Sequence, residues 1–491
     1  MKPLHTFMLA LCLVTACKDS ESGSGSDAGD TAANGGGHGS MKVEGPITGG
    51  KGKPFTTSAV DLAKSDYLES EFLYSGDATA YAPEGSLTKD GKWKLNETTT
   101  KPFKTRMLVR RPKDAKSFSG TVIVEWLNVS GGADGDPGFM YNWQEILREG
   151  HVWVGVSAQQ TGVEGGGFAL LSTPPPPLKK YDPERYGSLS HPGDSYSFDI
   201  YTRAAQIVRG EGTVDVLGGL KAKHVIAYGE SQSAMRLVSY VDGVQPITQA
   251  FDGFFIHSRG SSGVMFGDGN MLALGGPPAW IRDDLEQPVF QFQTETDVFG
   301  LIGFLPARQP DGDLLRTWEV PGTAHADAYI LSTGAATAEN LSDTGAMAPA
   351  CENVNAGPQH FVLKAALHAL VAWVVDGTAP VKGEIMKTDS AGKPMKDDLG
   401  NVLGGVRTPA VDVPISVLSG DPESGNSNIL CSLFGHTTPF TAKQLADLYP
   451  THDDYVTKVK ASAQKTREAK FILEAEEQAM ISEAEAAAVP K

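Results

Sequence analysis

From residue 105 onward the chain repeatedly sets four to six mostly apolar residues in a row, and stretches with helical spacing separate several of these runs. The runs are Thr105-Arg-Met-Leu-Val-Arg110, Thr121-Val-Ile-Val-Glu-Trp126, Val152-Trp-Val-Gly-Val156, His224-Val-Ile-Ala-Tyr228, Phe251-Asp-Gly-Phe-Phe-Ile256, Pro288-Val-Phe-Gln-Phe-Gln293 and Thr317-Trp-Glu-Val-Pro321. Short runs rich in β-branched and aromatic residues predict strands covered on both faces. Their alternation with helical patterns predicts a mostly parallel central sheet with helices on both sides. Met235, Leu237, Val238 and Tyr240 mark one helix, and residues 359–375 a long one with the stripe Phe361, Leu363, Leu367, Leu370 and Val374, stopped at Gly377 and Pro380.

Around this alternating centre lie additions. Residues 41–100 are rich in Gly, Thr and Lys, with β-like pieces at Phe72-Leu-Tyr74 and Ala78-Thr-Ala-Tyr81, and predict an amino-terminal β extension over one sheet edge. Residues 160–193, Gly- and Pro-rich and including Pro174 to Pro177, form an insertion before a helix entered at Asp194-Ser195; it reads equally as cap loops or as a surface loop. Ala-, Glu- and Lys-rich helices over residues 441–491 close a single domain spanning 41–491, with residues 474–488 expected as a solvated helix or frayed tail.

The chain has 491 residues, 40% hydrophobic and 21% charged, enough for one large core plus these additions. With 42 basic against 59 acidic residues the formal charge is -17, and no basic cluster resembles a nucleic-acid footprint, so such a partner is not expected. Residues 1–16 have the form of a signal peptide: Met1-Lys2, then an apolar run from Phe7 to Val14, too short to span a bilayer. Val14-Thr15-Ala16-Cys17 resembles the bacterial lipobox, which makes Cys17 the expected lipidation site; an ordinary secretory signal is the alternative. Residues 17–40, almost without apolar side chains, would be a flexible tether. Lys18 after the cysteine disfavours retention at an inner membrane. The expected location is the bacterial cell envelope, on the periplasmic face or the cell surface. Cys12 would leave with the signal, so Cys351 and Cys431 remain as an expected disulfide, with two buried thiols as the alternative.

The chemistry centres on Gly229-Glu-Ser231-Gln-Ser233. A strand that runs into this sequence and then into a helix places one serine at the apex of a sharp turn, its hydroxyl above the strand ends. Small residues are needed two positions to either side, because strand and helix nearly touch; Gly229 meets that need and Ser233 approximates it. A catalytic serine also requires a base and an acid that orients the base. Thr294-Glu295-Thr296-Asp297 follows one predicted strand and Gly322-Thr-Ala-His325 the next. His325 is the candidate base and Asp297 the candidate acid, with Glu295 as the alternative. For the oxyanion, the N–H of Gln232 would pair with a second donor from Leu127-Asn-Val-Ser-Gly-Gly132, named as Asn128, although Val129 is one step away. His257 and Arg259, just past another strand, are candidate substrate-binding groups; an arginine that ties loops together is the equally simple reading. No cofactor is expected. No metal is expected either, because neither Cys351 nor Cys431 has a second Cys or His nearby at ligand spacing.

Further stretches carry a resemblance: Gly45-Pro-Ile-Thr-Gly49-Gly50, Thr105-Arg106, Val109-Arg-Arg-Pro112, Val124-Glu-Trp-Leu-Asn128, Arg185-Tyr-Gly-Ser-Leu189, His191-Pro-Gly-Asp194, Gly229-Glu-Ser-Gln-Ser-Ala234 and Cys431-Ser-Leu-Phe-Gly435. In these the chain resembles the bacterial exported "alpha/beta hydrolase domain" family over residues 41 to about 475. The resemblance implies an α/β-hydrolase fold with Ser231 as nucleophile and His325 as base. A serine at the fifth motif position departs from the superfamily's usual glycine. The expected function is a lipid-anchored serine hydrolase, a carboxylic ester hydrolase acting on a small or polymeric ester through an acyl-enzyme. A peptidase or amidase on the same residues, or a non-catalytic surface-binding protein of this fold, are the alternatives.

Overall fold

Among the described residues, nine strands form one sheet: β1 (Lys42–Glu44), β2 (Tyr67–Pro83), β3 (Leu95–Pro112), β4 (Thr121–Trp126), β5 (Val152–Val156), β6 (His224–Glu230), β7 (Gly253–His257), β8 (Val289–Thr294) and β9 (Leu315–Val320). The computed structural model describes residues 41–167, 169–171, 173–267, 277–341, 351–422 and 428–489; the expected signal and tether over residues 1–40 lie outside them. The spatial order is β1-β2-β3-β5-β4-β6-β7-β8-β9. From β5 to β9 all neighbours are parallel, while β1, β2 and β3 pair antiparallel at one edge and β3 joins β5 antiparallel. The predicted strands from 121 to 321 appear within a residue or two of their expected bounds.

Alternating side chains show why these runs look apolar throughout. Val122, Val124, Trp126, Val225, Ala227, Phe254 and Ile256 enter one core, whereas Ile123, Ile226, Tyr228, Phe255, Phe290 and Trp318 enter another. Successive residues of a strand point to opposite faces, so a sheet covered on both sides needs apolar residues at every position. The first core is closed by the helices Ser197–Gln206 and Gln232–Ser239, through Ile200, Tyr201, Leu237 and Val238. The second is closed by Pro137–Arg148 and Gln359–Asp376, through Phe139, Ile146, Leu363 and Leu367.

β2 and β3 form a long hairpin fixed from below by buried ion pairs. Arg106 donates to Glu71 (3.2 Å) and Asp134 (3.0 Å), and Arg110 to Glu69 (2.9 Å) and Asp136 (2.5 Å). These arginines therefore hold the loop after β4, which borders the site described below. Losing one partner of such a buried pair would strand a charge.

The insertion over residues 160–193 carries three short helices, Gln160–Glu164, Leu178–Tyr181 and Pro183–Tyr186, and has a small core of its own from Val163, Leu178, Tyr181 and Tyr186 against Phe55 and Leu73. It packs against the loop after β4: the N–H of Leu170 donates to Ser130 O (2.8 Å), and a Cβ on Gly132 would lie 2.5 Å from Pro174. The carboxy-terminal segment needs correcting. Residues 474–488 are not a solvated or frayed tail, since the helix Glu474–Ala486 buries Met480 and Ala484. Its Glu476 meets Arg148 (3.2 Å) and Lys364 (3.8 Å), so charged side chains, which read as solvated in the sequence, face basic partners on two core helices. Cys351 and Cys431 form a disulfide.

Candidate active site

At the end of β6 the chain turns sharply into the helix Gln232–Ser239, and Ser231 occupies the apex with φ 60° and ψ -120°. That conformation costs a non-glycine residue about 1–3 kcal/mol and persists only where surroundings enforce it. Here the N–H of Ser231 donates to His257 O (2.9 Å) and its carbonyl accepts from Met235 N (3.1 Å). A Cβ on Gly229 would stand 2.7 Å from the carbonyl oxygen of Ser233, so the close approach inferred from the motif is a geometric requirement at this position.

His325 sits five residues past β9, after a turn at Gly322 with φ 72°. The loop is fixed from two sides. Ala326 N donates to Leu433 O (2.9 Å), and Gly322 N donates to Glu295 Oε2 (2.9 Å). Past β8, Thr294 caps the short helix Glu295–Phe299: its hydroxyl accepts from Asp297 N (3.2 Å), and Asp297 Oδ2 accepts from Thr294 N (2.7 Å). This reciprocal cap aims the other oxygen of Asp297 at His325. The three groups then meet in line: His325 Nδ1 donates to Asp297 Oδ1 at 2.6 Å, and Ser231 Oγ donates to His325 Nε2 at 2.8 Å.

The electrostatics fit that line. Burial alone would push the Asp297 carboxyl up, but the adjacent His325 holds it below the ordinary aspartate range. Burial likewise works against charging His325, yet Asp297 and Glu230 together hold its imidazole above the usual histidine value. Glu295, the alternative acid, is turned away. Its oxygens accept from Gly322 N and Gly420 N, each at 2.9 Å, so it braces the loops that carry acid and base. Burial pushes its carboxyl up to about 7.

Three expectations about neighbouring residues are corrected. Asn128 is not the second oxyanion donor, because its N–H donates to Gly135 O (2.9 Å) in a tight pairing of the loop. The next amide, Val129 N–H, and that of Gln232 at the first turn of its helix, are engaged with no acceptor among the described residues. His257 is not a substrate-binding group. It is fully buried, its Nε2 accepting from Gln359 Nε2 (3.0 Å) and its Nδ1 donating to Tyr228 (2.9 Å). Burial lowers its affinity for a proton to about 3, so it stays neutral. Arg259 is buried as well. It donates to Gly260 O (2.9 Å), Gln291 Oε1 (3.1 Å), Ser261 O (3.2 Å) and Ala279 O (2.5 Å), and it ties loops together.

Sequence reasoning gave Glu230 no role. Its Oε1 lies 3.5 Å from Nε2 of His325, and Asn128 Nδ2 donates to its backbone oxygen (3.0 Å) and to Oε2 (3.1 Å). The available signal was its place in the motif, directly before the apex. Glu145, Glu149 and His368 bring ligand atoms within 4.8 Å of one another and are the described residues best arranged to hold a metal. There Glu145 already bonds Arg148 and His368, which makes the group an ion-pair cluster between two helices. A cavity of about 580 Å³ lined by Tyr329, His360, Pro409 and Tyr455 includes none of Ser231, His325 and Asp297.

A mostly parallel sheet flanked by helices, with a strained serine turn after β6 and a carboxylate and a histidine beyond the ends of β8 and β9, the second and third strands along on one side, is the α/β-hydrolase fold. The chain belongs to the alpha/beta hydrolase domain family, whose profile matches residues 43–482. Solved structures with a similar fold include a protein assigned as a dienelactone hydrolase from Klebsiella pneumoniae (11% identity, 62% of this chain and 99% of that one, TM-score 0.30). Others are a serine hydrolase without a lid from Xanthomonas campestris (13%, 54% and 92%, 0.27) and an esterase from Rhizomucor miehei (12%, 58% and 88%, 0.27). No curated protein matches the chain in sequence.

Proposed function

We propose that this α/β hydrolase is a serine hydrolase that cleaves carboxylic esters through an acyl-enzyme. The observation that carries the reading is the unbroken line from Asp297 to His325 (2.6 Å) to Ser231 (2.8 Å). In the reaction the Ser231 Oγ–H bond breaks, Nε2 of His325 takes the proton, and Oγ bonds to the carbonyl carbon while the electron pair moves to the carbonyl oxygen. The N–H groups of Gln232 and Val129 would face that oxyanion. The imidazolium gives its proton to the leaving alcohol, and His325 then activates the water that releases the acid. Asp297 keeps Nδ1 protonated, so that Nε2 faces the serine as an acceptor. Esters are preferred to amides because an alcohol leaves with less help from the imidazolium proton than an amine does.

The test is reaction with a fluorophosphonate probe beside a screen of short-acyl, long-acyl and sugar-acid methyl esters. The wild type should be labelled and turn over at least one ester class. Ser231→Ala should lose both while its thermal unfolding stays close to wild type. Turnover retained by Ser231→Ala would remove this serine from the chemistry.

We also propose that the enzyme is exported and anchored by lipid at Cys17. The lipobox-like Val14-Thr-Ala-Cys17, the polar segment after it and the Cys351–Cys431 disulfide support this, since disulfides persist in oxidising compartments. The mass of the mature amino terminus from a bacterial host decides it: a diacylglyceryl-cysteine is expected, and an unmodified Cys17 would end the proposal.

A further inference from the structure

Asp297 is not the only carboxyl group against His325. Glu230 is the last residue of β6, and the turn at Ser231 leaves its side chain buried beside the imidazole. Asn128 holds one of its oxygens and the other lies 3.5 Å from Nε2, the nitrogen that Ser231 Oγ approaches at 2.8 Å. The imidazole therefore has a carboxyl group at each nitrogen.

Resting on the serine-hydrolase reading, we propose that Glu230 acts through His325 as a second carboxylate, stabilising the imidazolium while the Ser231 proton resides on Nε2. Glu230 forms and breaks no covalent bond in this role. The proton passes from Oγ to Nε2 and on to the leaving alcohol, and Glu230 supplies the countercharge on the Nε2 side.

The surroundings make its ionisation consequential. Burial, with the charge of Asp297, pushes the Glu230 carboxyl up to about 7, while His325 and the Asn128 amide favour the ionised form. The other ionisable groups facing the pair are Asp297, held ionised by His325; His257, neutral; and Tyr141 and Tyr228, both kept neutral by burial. Asp327, pushed up by burial to about 7, bonds Tyr141 (3.1 Å) on the outer side. Glu230, pushed up to about 7, and His325, held above the usual histidine value, are thus the two groups in direct proximity whose charges depend on each other, and they titrate as a coupled pair.

The sign of the effect follows. An ionised Glu230 raises the proton affinity of His325, so the acidic limb of kcat/KM lies higher than it would without that charge. In Glu230→Gln, which keeps the shape and an oxygen for Asn128, the midpoint of this limb should move down by about one pH unit. The plateau kcat should fall roughly tenfold, through loss of one favourable charge contact in the transition state. Asn128→Ala, which keeps the carboxyl but removes a donor that favours its ionised form, should move the midpoint the same way by less.

The experiment is the pH dependence of kcat/KM for wild type, Glu230→Gln and Asn128→Ala on one ester, with folding checked by circular dichroism. A purely structural loss would lower the rate at every pH and leave the midpoint in place. An unmoved midpoint in whichever variants fold, with wild type active, overturns the role of Glu230 alone. Absence of turnover and of fluorophosphonate labelling in the wild type would overturn the hydrolase reading and this proposal with it.

Discussion

Replacing Asp297 by asparagine separates the acid from the brace more cleanly than any other single change. Asp297 Oδ1 accepts from His325 Nδ1 at 2.6 Å and Oδ2 accepts from Thr294 N at 2.7 Å. Asparagine can keep its oxygen on the cap, which turns its NH2 toward Nδ1. His325 must then carry its proton on Nε2, where it can no longer accept from Ser231. The comparable change in a well-studied serine protease lowers kcat about 10⁴-fold, or roughly 5.5 kcal/mol of barrier at about 1.36 kcal/mol per factor of ten. Glu295→Gln should behave in the opposite way. Each Glu295 oxygen serves one backbone N–H at 2.9 Å, and the amide nitrogen can serve neither Gly322 nor Gly420. One buried N–H left without an acceptor costs about 1–3 kcal/mol of stability, while kcat per folded molecule should stay within a few-fold of wild type. The assay pairs kcat on a chromogenic short-acyl ester with urea unfolding midpoints for both variants. Asp297→Asn retaining more than a tenth of wild-type kcat, or folded Glu295→Gln losing a thousandfold, would refute the assignment of acid and brace.

Two further outcomes concern stability. Glu230, Glu295 and Asp327 are raised by burial to about 7, so from near their unfolded values upward the folded chain binds more protons than the unfolded chain. Below about pH 6 this is opposed by His151, His257 and His360, which burial keeps neutral at about 4, 3 and 3. Above the ordinary histidine value the carboxyl effect, to which Glu125 at about 8 adds, and the raised His325 and His368 act with one sign, and Lys364, which burial lowers to about 8, opposes them only toward the upper end. Urea midpoints should therefore fall between about pH 6.5 and 8, and a flat or rising profile there would contradict the burial of these acids. The Cys351–Cys431 bond closes a sequence separation of 80 residues, so Cys351→Ala/Cys431→Ala should lose about 4.5 kcal/mol by chain-entropy reasoning, read from the same midpoints. An unchanged midpoint would show that the crosslink does not restrict the unfolded chain.

The sheet was legible because its central strands are covered on both faces, and continuous apolar runs such as Val122–Val124 and Phe254–Ile256 have few other readings. Ser231 and His325 were legible because turn chemistry surrounds them: Gly229 before one and Gly322 before the other. The misreadings share a cause, which is that sequence shows a residue's place after a strand but not where its polar atoms go. Asn128 stands at the expected strand end, yet its N–H is taken by Gly135. His257 ends β7 and Arg259 lies just past it, and both are consumed inside the protein. The helix Glu474–Ala486 was misread for the converse reason, because its apparent solvent face carries Glu476, whose partners Arg148 and Lys364 lie over 100 residues away in sequence.

Asp297 and Glu295 show how little separates the two outcomes. Both are buried, both lie past β8 in one five-residue helix, and both would read as strand-end carboxylates. Their fates diverge at the helix cap. Asp297 at the third helical position closes a box with Thr294, which fixes one oxygen on the backbone and leaves the other for a side chain. Glu295 at the first position spends both oxygens on backbone N–H groups of two separate loops. Three contacts then make one unit: the cap orients the acid, the acid orients the imidazole, and the neighbouring glutamate fixes the loop that carries the imidazole. Because Glu295 holds Gly322, three residues before His325, weakening the brace should loosen the base before it alters its charge. Its kinetic signature should accordingly be a heat-sensitive activity with an unshifted pH midpoint, in contrast to the moved midpoint expected for Glu230→Gln.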